Sequence, residues 1–219
     1  MWNVIGLFLA AWMVLLGPPV DAAAQDTTPL VDADKRVLTP EETAQKEARK
    51  ACKAKICNIF ATADPAGEDV SCAIVKTWRE EDITKLLGGK VDWPYGKAVC
   101  RSQLELERAP LARAMSEPNQ DVKVKKQTVR CTLDRKGEGE PYVIEISLAP
   151  HVRFEKGKVV KASINWGEAK APAFLYPLLY AGTGLDNQSN FLGPEVVKMV
   201  NEFTAKKCAQ VRAEVPHRD

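Results

Sequence analysis

Histidine is nearly absent from this chain, with His151 and His217 the two among 219 residues. That scarcity leaves few metal sites or imidazole-based acid/base pairs to consider. C-x-x-C is missing altogether; the closest cysteines, Cys52 and Cys57, are spaced C-x4-C. A zinc ribbon, a thioredoxin-like redox pair and a C-x-x-C-H haem attachment therefore all lack their ligands. G-x-S-x-G, S-x-x-K, H-E-x-x-H, G-x-G-x-x-G and the P-loop pattern do not occur either, so the common serine-hydrolase, zinc-protease and nucleotide-binding routes have no anchor. A dominant charge is also missing: 31 Lys+Arg stand against 29 Asp+Glu, a net of +2. Such a balance gives no field that would gather a nucleic acid. No cofactor, no metal and no nucleic-acid partner is expected.

Long hydrophobic runs are confined to the first segment, Val4 to Gly17, followed by Pro18, Pro19 and the small residues Ala22-Ala23-Ala24. This is the h-region and A-x-A site of a secretory signal peptide spanning 1–24, too short for a comfortable bilayer span. An uncleaved anchor is the alternative, because Met1, Trp2 and Asn3 supply no positive charge. Cleavage after Ala24 leaves no transmembrane segment. The nearest cysteine is Cys52, so processing as a lipoprotein is not supported. The expected location is outside the cytoplasm, periplasmic or extracellular.

All six cysteines lie beyond residue 24: Cys52, Cys57, Cys72, Cys100, Cys131 and Cys208. An even count in an exported chain reads first as disulfides. Strand register favours Cys100–Cys131, since residues opposed across the two strands near Glu107 and Lys123 would sum to nearly the same value. Cys72–Cys100 is a rival. Cys57–Cys72 across a first hairpin and Cys52–Cys208 between the first and last helices complete the favoured set.

Residues 25–38 read as a mobile leader, 39–215 as a single α+β domain and 216–219 as a tail, with no repeat or glycine-rich linker between. Thr39-Pro40-Glu41-Glu42 is a capping box, and it opens a helix whose small apolar stripe is Ala44, Ala48, Cys52 and Ile56. Cys57 to Thr62 is expected to be a short strand. Val70–Trp78 and Lys97–Glu107 alternate as half-buried strands, with a short helix through Leu87 between them that Gly88-Gly89 ends. Pro110 opens a short helix, Leu111–Met115.

Val122–Leu133 changes parity, which implies a bulge near Lys126. Tyr142–Leu148 follows, and then a hairpin turns at Glu155-Lys156-Gly157-Lys158. Ala171–Leu185 is apolar and aromatic, broken by Pro177, and predicts a pair of short buried helices. Gly193-Pro194-Glu195 starts a last helix with the stripe Val196, Met199, Val200, Phe203 and Val211. The fold class expected is α+β: an antiparallel sheet of about six strands interrupted by short helices, covered on one face by the N- and C-terminal helices and stapled by disulfides.

Few residues suggest chemistry. His151 follows Pro150 at a strand boundary and reads as a surface turn residue. Glu80, Glu81 and Asp82 stand in a helix first turn, where they compensate the dipole. Lys123, Lys125 and Lys126 fit a protected strand edge better than an anion site. Trp93 and Tyr95 fall in an expected loop and are the candidate contact surface. Trp166, Phe174 and Tyr180 are candidates to line an apolar cavity between sheet and helices. The function expected is that of an exported, non-catalytic protein binding an envelope component, a protein partner or a small apolar molecule. The alternatives are an envelope hydrolase without a known motif and a peripheral membrane module docking through 171–185.

Overall fold

The structure, a computed structural model, describes residues 37–86 and 93–210. The signal peptide, most of the leader, the Gly88-Gly89 helix stop, Val211 and the tail lie outside the described residues.

Helix α1 (Pro40–Thr62) begins on the anticipated capping box. The Thr39 hydroxyl accepts from the Glu42 N–H at 3.1 Å, and the Glu42 carboxylate accepts from the Thr39 N–H at 2.8 Å. The helix does not stop for a strand at Cys57. No glycine or proline interrupts it before Ala63, which takes the left-handed conformation (φ 49°) and donates its N–H to the Ile59 carbonyl as a C-cap. The buried side also differs from the small-residue stripe: Glu42, Gln45, Cys52, Ile56, Cys57 and Ile59 face inward, while Ala44 and Ala48 are exposed. Long polar side chains face inward at the N-terminal end because β1 (Val70–Trp78) offers unpaired edge groups there. Gln45 accepts from the Thr77 N–H and donates to its hydroxyl, and Arg49 donates to the Val75 carbonyl.

After β1 come α2 (Glu80–Leu86), β2 (Tyr95–Leu106), α3 (Arg108–Ser116), β3 (Asn119–Lys123) and β4 (Gln127–Arg135). Then follow β5 (Tyr142–Leu148), β6 (His151–Glu155), β7 (Lys158–Ser163), β8 (Trp166–Lys170), α4 (Tyr176–Ser189) and α5 (Gly193–Glu202), which continues through a π-helical turn, Phe203–Lys207. The fold is α+β with antiparallel pairing throughout. Its strands form two sheets, β1-β2-β4-β5-β8 and β3-β6-β7, where alternation had suggested one sheet of about six.

A crease explains the difference. β3/β4, β5/β6 and β7/β8 are three extended stretches that each run through both sheets in the same lateral order, and each breaks between them. Backbone bonds cross the break: the Val124 N–H donates to Pro150 O at 2.8 Å and the Ala149 N–H to Asn165 O at 3.1 Å. The parity change near Lys126 is therefore the chain passing from one sheet to the other, not a bulge within a single strand.

Register puts the expected inner residues on one face: Cys72 opposes Leu104, Cys100 opposes Cys131, and Cys131 opposes Ile144. α1 packs on β1 and α3, and α5 packs on β7. Phe60 of α1 meets both Phe154 of β6 and Phe203, so one apolar core joins the first helix, the creased strands and the last helix. The β6–β7 hairpin turns on Lys156 and Gly157, both at positive φ (50° and 76°), as a two-residue turn requires.

The sheet edges are closed by amide side chains. Asn187 of α4 accepts from the Trp166 N–H and donates to its carbonyl at 2.8 and 2.7 Å. Asn201 of α5 does the same for Val159, at 2.8 and 2.9 Å. With Gln45 on β1, each outer strand so treated has part of its free ladder occupied, which blunts pairing with another chain.

The cysteines pair as Cys52–Cys72, Cys57–Cys208 and Cys100–Cys131, with Cα separations of 6.0, 5.1 and 4.0 Å. The cross-strand pair is the one that register favoured. The other two exchange partners relative to the favoured set, and the length of α1 is the reason. Without a strand at 57–62 no hairpin brings Cys57 opposite Cys72. On a continuous helix Cys52 and Cys57 point about 140° apart, one toward β1 and the other toward the C-terminal helix.

Gly193 marks where α5 meets β7. A Cβ there would stand 2.5 Å from the Ala162 carbonyl oxygen and 2.3 Å from the Asn190 amide nitrogen, which itself donates to that carbonyl. Gly193→Ala is expected to destabilise by about 1–3 kcal/mol through this overlap. A denaturant midpoint equal to that of the parent protein would contradict the close approach.

Candidate functional site

Three strand ends of the larger sheet gather aromatic residues. Tyr95 opens β2, Arg135 closes β4 opposite it, and Tyr142 opens β5 beside Leu133. The Tyr95 and Tyr142 rings meet edge to face at 5.6 Å, and Phe174, on the turn after β8, contacts both at 6.2 and 5.0 Å. The Arg135 guanidinium lies 4.1 Å from the Tyr142 ring centre, a cation–π contact that fixes both. Burial, and then the neighbouring Tyr142, push the Tyr95 phenol above its ordinary pKa.

Trp93 is not on a loop surface as its sequence context suggested. It is buried, donates its indole N–H to Gly96 O at 2.8 Å and packs on Tyr95 at 4.9 Å. It backs the cluster from within, and Tyr95 is half-buried in front of it.

The cluster continues into α4, where Pro177 sits in the first turn and starts the helix instead of breaking it. The region is one helix, not two short buried ones; Leu179 is buried, while several of the large side chains on and beside the helix face out. Tyr180 is 66% exposed, Leu185 58%, Phe174 52%, Phe191 45% and Tyr176 42%, with the Tyr176 and Tyr180 rings stacked at 5.9 Å. From Ala171 to Pro194 the only charged residue is Asp186, and it is buried. In a chain in which 27% of residues are charged, this stretch thus exposes five large apolar and aromatic side chains while its one charge is buried.

Buried polar contacts hold α4 in place. The Asp186 carboxylate accepts from the Trp166 indole N–H at 2.8 Å and from the Leu192 N–H at 2.9 Å. Trp166 is accordingly part of the anchor: it is buried, whereas Phe174 and Tyr180, which were expected to line an apolar cavity with it, are at the surface. Tyr142, Arg135, Leu185 and Phe191 were not singled out from sequence. The absence of charge between Ala171 and Pro194 was a usable signal for the last two; for Tyr142 and Arg135 only the register supplies one.

Of the remaining candidates, His151, Glu80, Asp82 and Lys125 have structural partners. His151 is half-buried at the start of β6 with its Nε2 2.9 Å from Asp121. Ser163 stands opposite it in the register, yet no hydrogen bond joins the hydroxyl to the imidazole. Glu80 pairs with Lys136, and Asp82 accepts from the Arg79 N–H at the start of α2. Lys123 lies on β3, an edge of the smaller sheet, and Lys125 pairs with Glu107 at 2.9 Å. A cleft of about 140 Å³ between β1, β2, α3 and β3 is lined in part by Asp69, Glu105 and Lys125, below the range of organic-ligand pockets. Among the described residues no group of three or more His, Cys, Asp or Glu could hold a metal ion, and no helix is long and apolar enough to cross a membrane. Comparison with protein-family models, with curated proteins and with solved structures gives no match for this chain.

Proposed function

We propose that this is an exported, non-catalytic binding protein whose α4 face docks onto an apolar surface of a protein partner. The observation that carries the reading is the exposure of Phe174, Tyr176, Tyr180, Leu185 and Phe191 in a stretch whose one charge is buried. Protein interfaces concentrate Tyr, Phe and Arg at their centre and exclude charge. The Arg135–Tyr142–Phe174 corner beside α4 has the same make-up. Occupied strand edges favour recognition through side chains over strand addition. Three disulfides and no free cysteine suit an oxidising compartment. A lipid surface is the competing occupant, but helices that lie in membranes usually carry Lys or Arg along their polar side, and α4 has neither.

The test is a photoreactive phenylalanine analogue placed at Tyr180 and, as a control, at the exposed Val160 of β7, in cells that make the protein. A discrete protein adduct from position 180, absent from 160, is expected. The purified adduct partner should bind the protein at least about tenfold more weakly when Tyr176→Ser and Tyr180→Ser are combined. Lipid-only or self-adducts from position 180, or equal adducts from both positions, overturn the proposal.

A further inference from the structure

Arg135 brings a positive charge to the edge of the aromatic corner beside α4. Its guanidinium lies 4.1 Å from the centre of the Tyr142 ring, and that ring meets Tyr95 at 5.6 Å and Phe174 at 5.0 Å. The turn between β4 and β5 closes on the same group: a Cβ at Gly139 would come within 2.9 Å of its Nη1. Both sequence neighbours of Arg135 meet an opposite charge, Asp134 with Lys97 at 3.9 Å and Lys136 with Glu80. Among the described residues Arg135 itself has neither an ion pair nor a hydrogen bond. The residue is exposed, so water serves its N–H groups while the surface is bare.

Docking changes that. A partner that covers Tyr142 and Phe174 also strips water from the guanidinium packed on them, and a desolvated cation left without an acceptor opposes binding. A carboxylate is the group that meets the need best, because its two oxygens match two N–H groups of the planar fork. Stacking on Tyr142 already restricts the fork, so little side-chain freedom remains to be lost when the pair forms. Along the rest of the surface there is no charge to match, since Asp186 is buried and is the one charged residue from Ala171 to Pro194.

We infer that the partner docks here with an Asp or Glu side chain that pairs with Arg135, flanked by apolar side chains that cover Phe174 and α4. Arg135 then sets which sequence binds and in what register, while the aromatic and apolar side chains supply contact area. The inference rests on the reading of α4 as a protein-docking face and adds the chemistry of the segment that fits it.

Selection of displayed random peptides on the immobilised full chain tests it. The selected peptides should carry Asp or Glu within an apolar segment, and should lose binding when Tyr176→Ser and Tyr180→Ser are combined. For one such peptide, made synthetically, replacing its acid by the matching amide should weaken binding to the parent protein at least about tenfold. Arg135→Gln should weaken the acidic peptide by a similar factor and leave the affinity of the amide peptide unchanged, a cycle that separates loss of the carboxylate contact from misfolding.

Peptides that need the two tyrosines but show no acidic preference overturn this inference and leave the α4 reading standing. An acidic preference that persists in Arg135→Gln has the same meaning. Peptides indifferent to both tyrosines, or a selection that yields none, overturn the α4 reading and this inference with it.

Discussion

Replacing Cys57 and Cys208 together by serine is expected to cost about 4–5 kcal/mol, the largest loss of any single bridge. The two cysteines are 151 residues apart in sequence, against 31 for Cys100–Cys131 and 20 for Cys52–Cys72. Closing the longest loop removes the most freedom from the unfolded chain, and the shorter loops are worth about 3–4 kcal/mol each on the same account. Urea unfolding of the three double variants should rank them in that order. The bridge also holds the end of α1 against the C-terminal helix, where Phe60 and Phe203 meet, so its loss should loosen that end first. A non-reducing peptide map that joins Cys57 to Cys72 would refute both the pairing and the ranking.

Asp186→Ala should destabilise by about 3–4 kcal/mol, because it leaves two buried donors, the Trp166 indole N–H and the Leu192 N–H, without an acceptor. Asp186 itself is 2% exposed, so water does not readily replace it. Asp186→Asn keeps one acceptor oxygen and presents an amide to the second donor, so about half of that loss is expected. The change should be felt locally as well: amide exchange in α4 should accelerate beyond the global decrease, since Asp186 and Asn187 dock this helix on β8. Uniform acceleration across all elements would mean that α4 has no separate anchor. Because the proposed contact face is carried on α4, Asp186→Ala should also weaken partner binding without altering any exposed side chain.

The crease shows where sequence reading stopped. Alternation locates the inner residues of β1, β2, β4 and β5 because a pleated strand repeats every two residues whatever its neighbours are. It located the break near Lys126 for the same reason. It could not say that three such breaks align, because alignment depends on how separate strands pair. Cys57–Thr62 illustrates the opposite failure: Cys, Ile, Phe and Thr suit a strand locally, and continuation of the helix is decided by packing of Ile59 and Phe60. At the proposed contact surface, Tyr95 was recognisable as an aromatic beside a turn. Its partners Tyr142, Phe174 and Arg135 come from distant parts of the chain, and only the register collects them.

What the sequence alone determined is local: the capping box at Thr39, the hairpin at Lys156-Gly157, the strand phases and the Cys100–Cys131 pair that follows from them, and an α+β chain with paired cysteines. Each depends on dihedral preference or a fixed repeat within a few residues of chain. Tertiary structure decided the exchange of Cys52 and Cys57 partners, the closing of strand edges by Gln45, Asn187 and Asn201, and the outward face of α4. Those features join groups whose separation in space is set by how helices and sheets pack, and the low content of histidine and catalytic motifs gives no local sign of them.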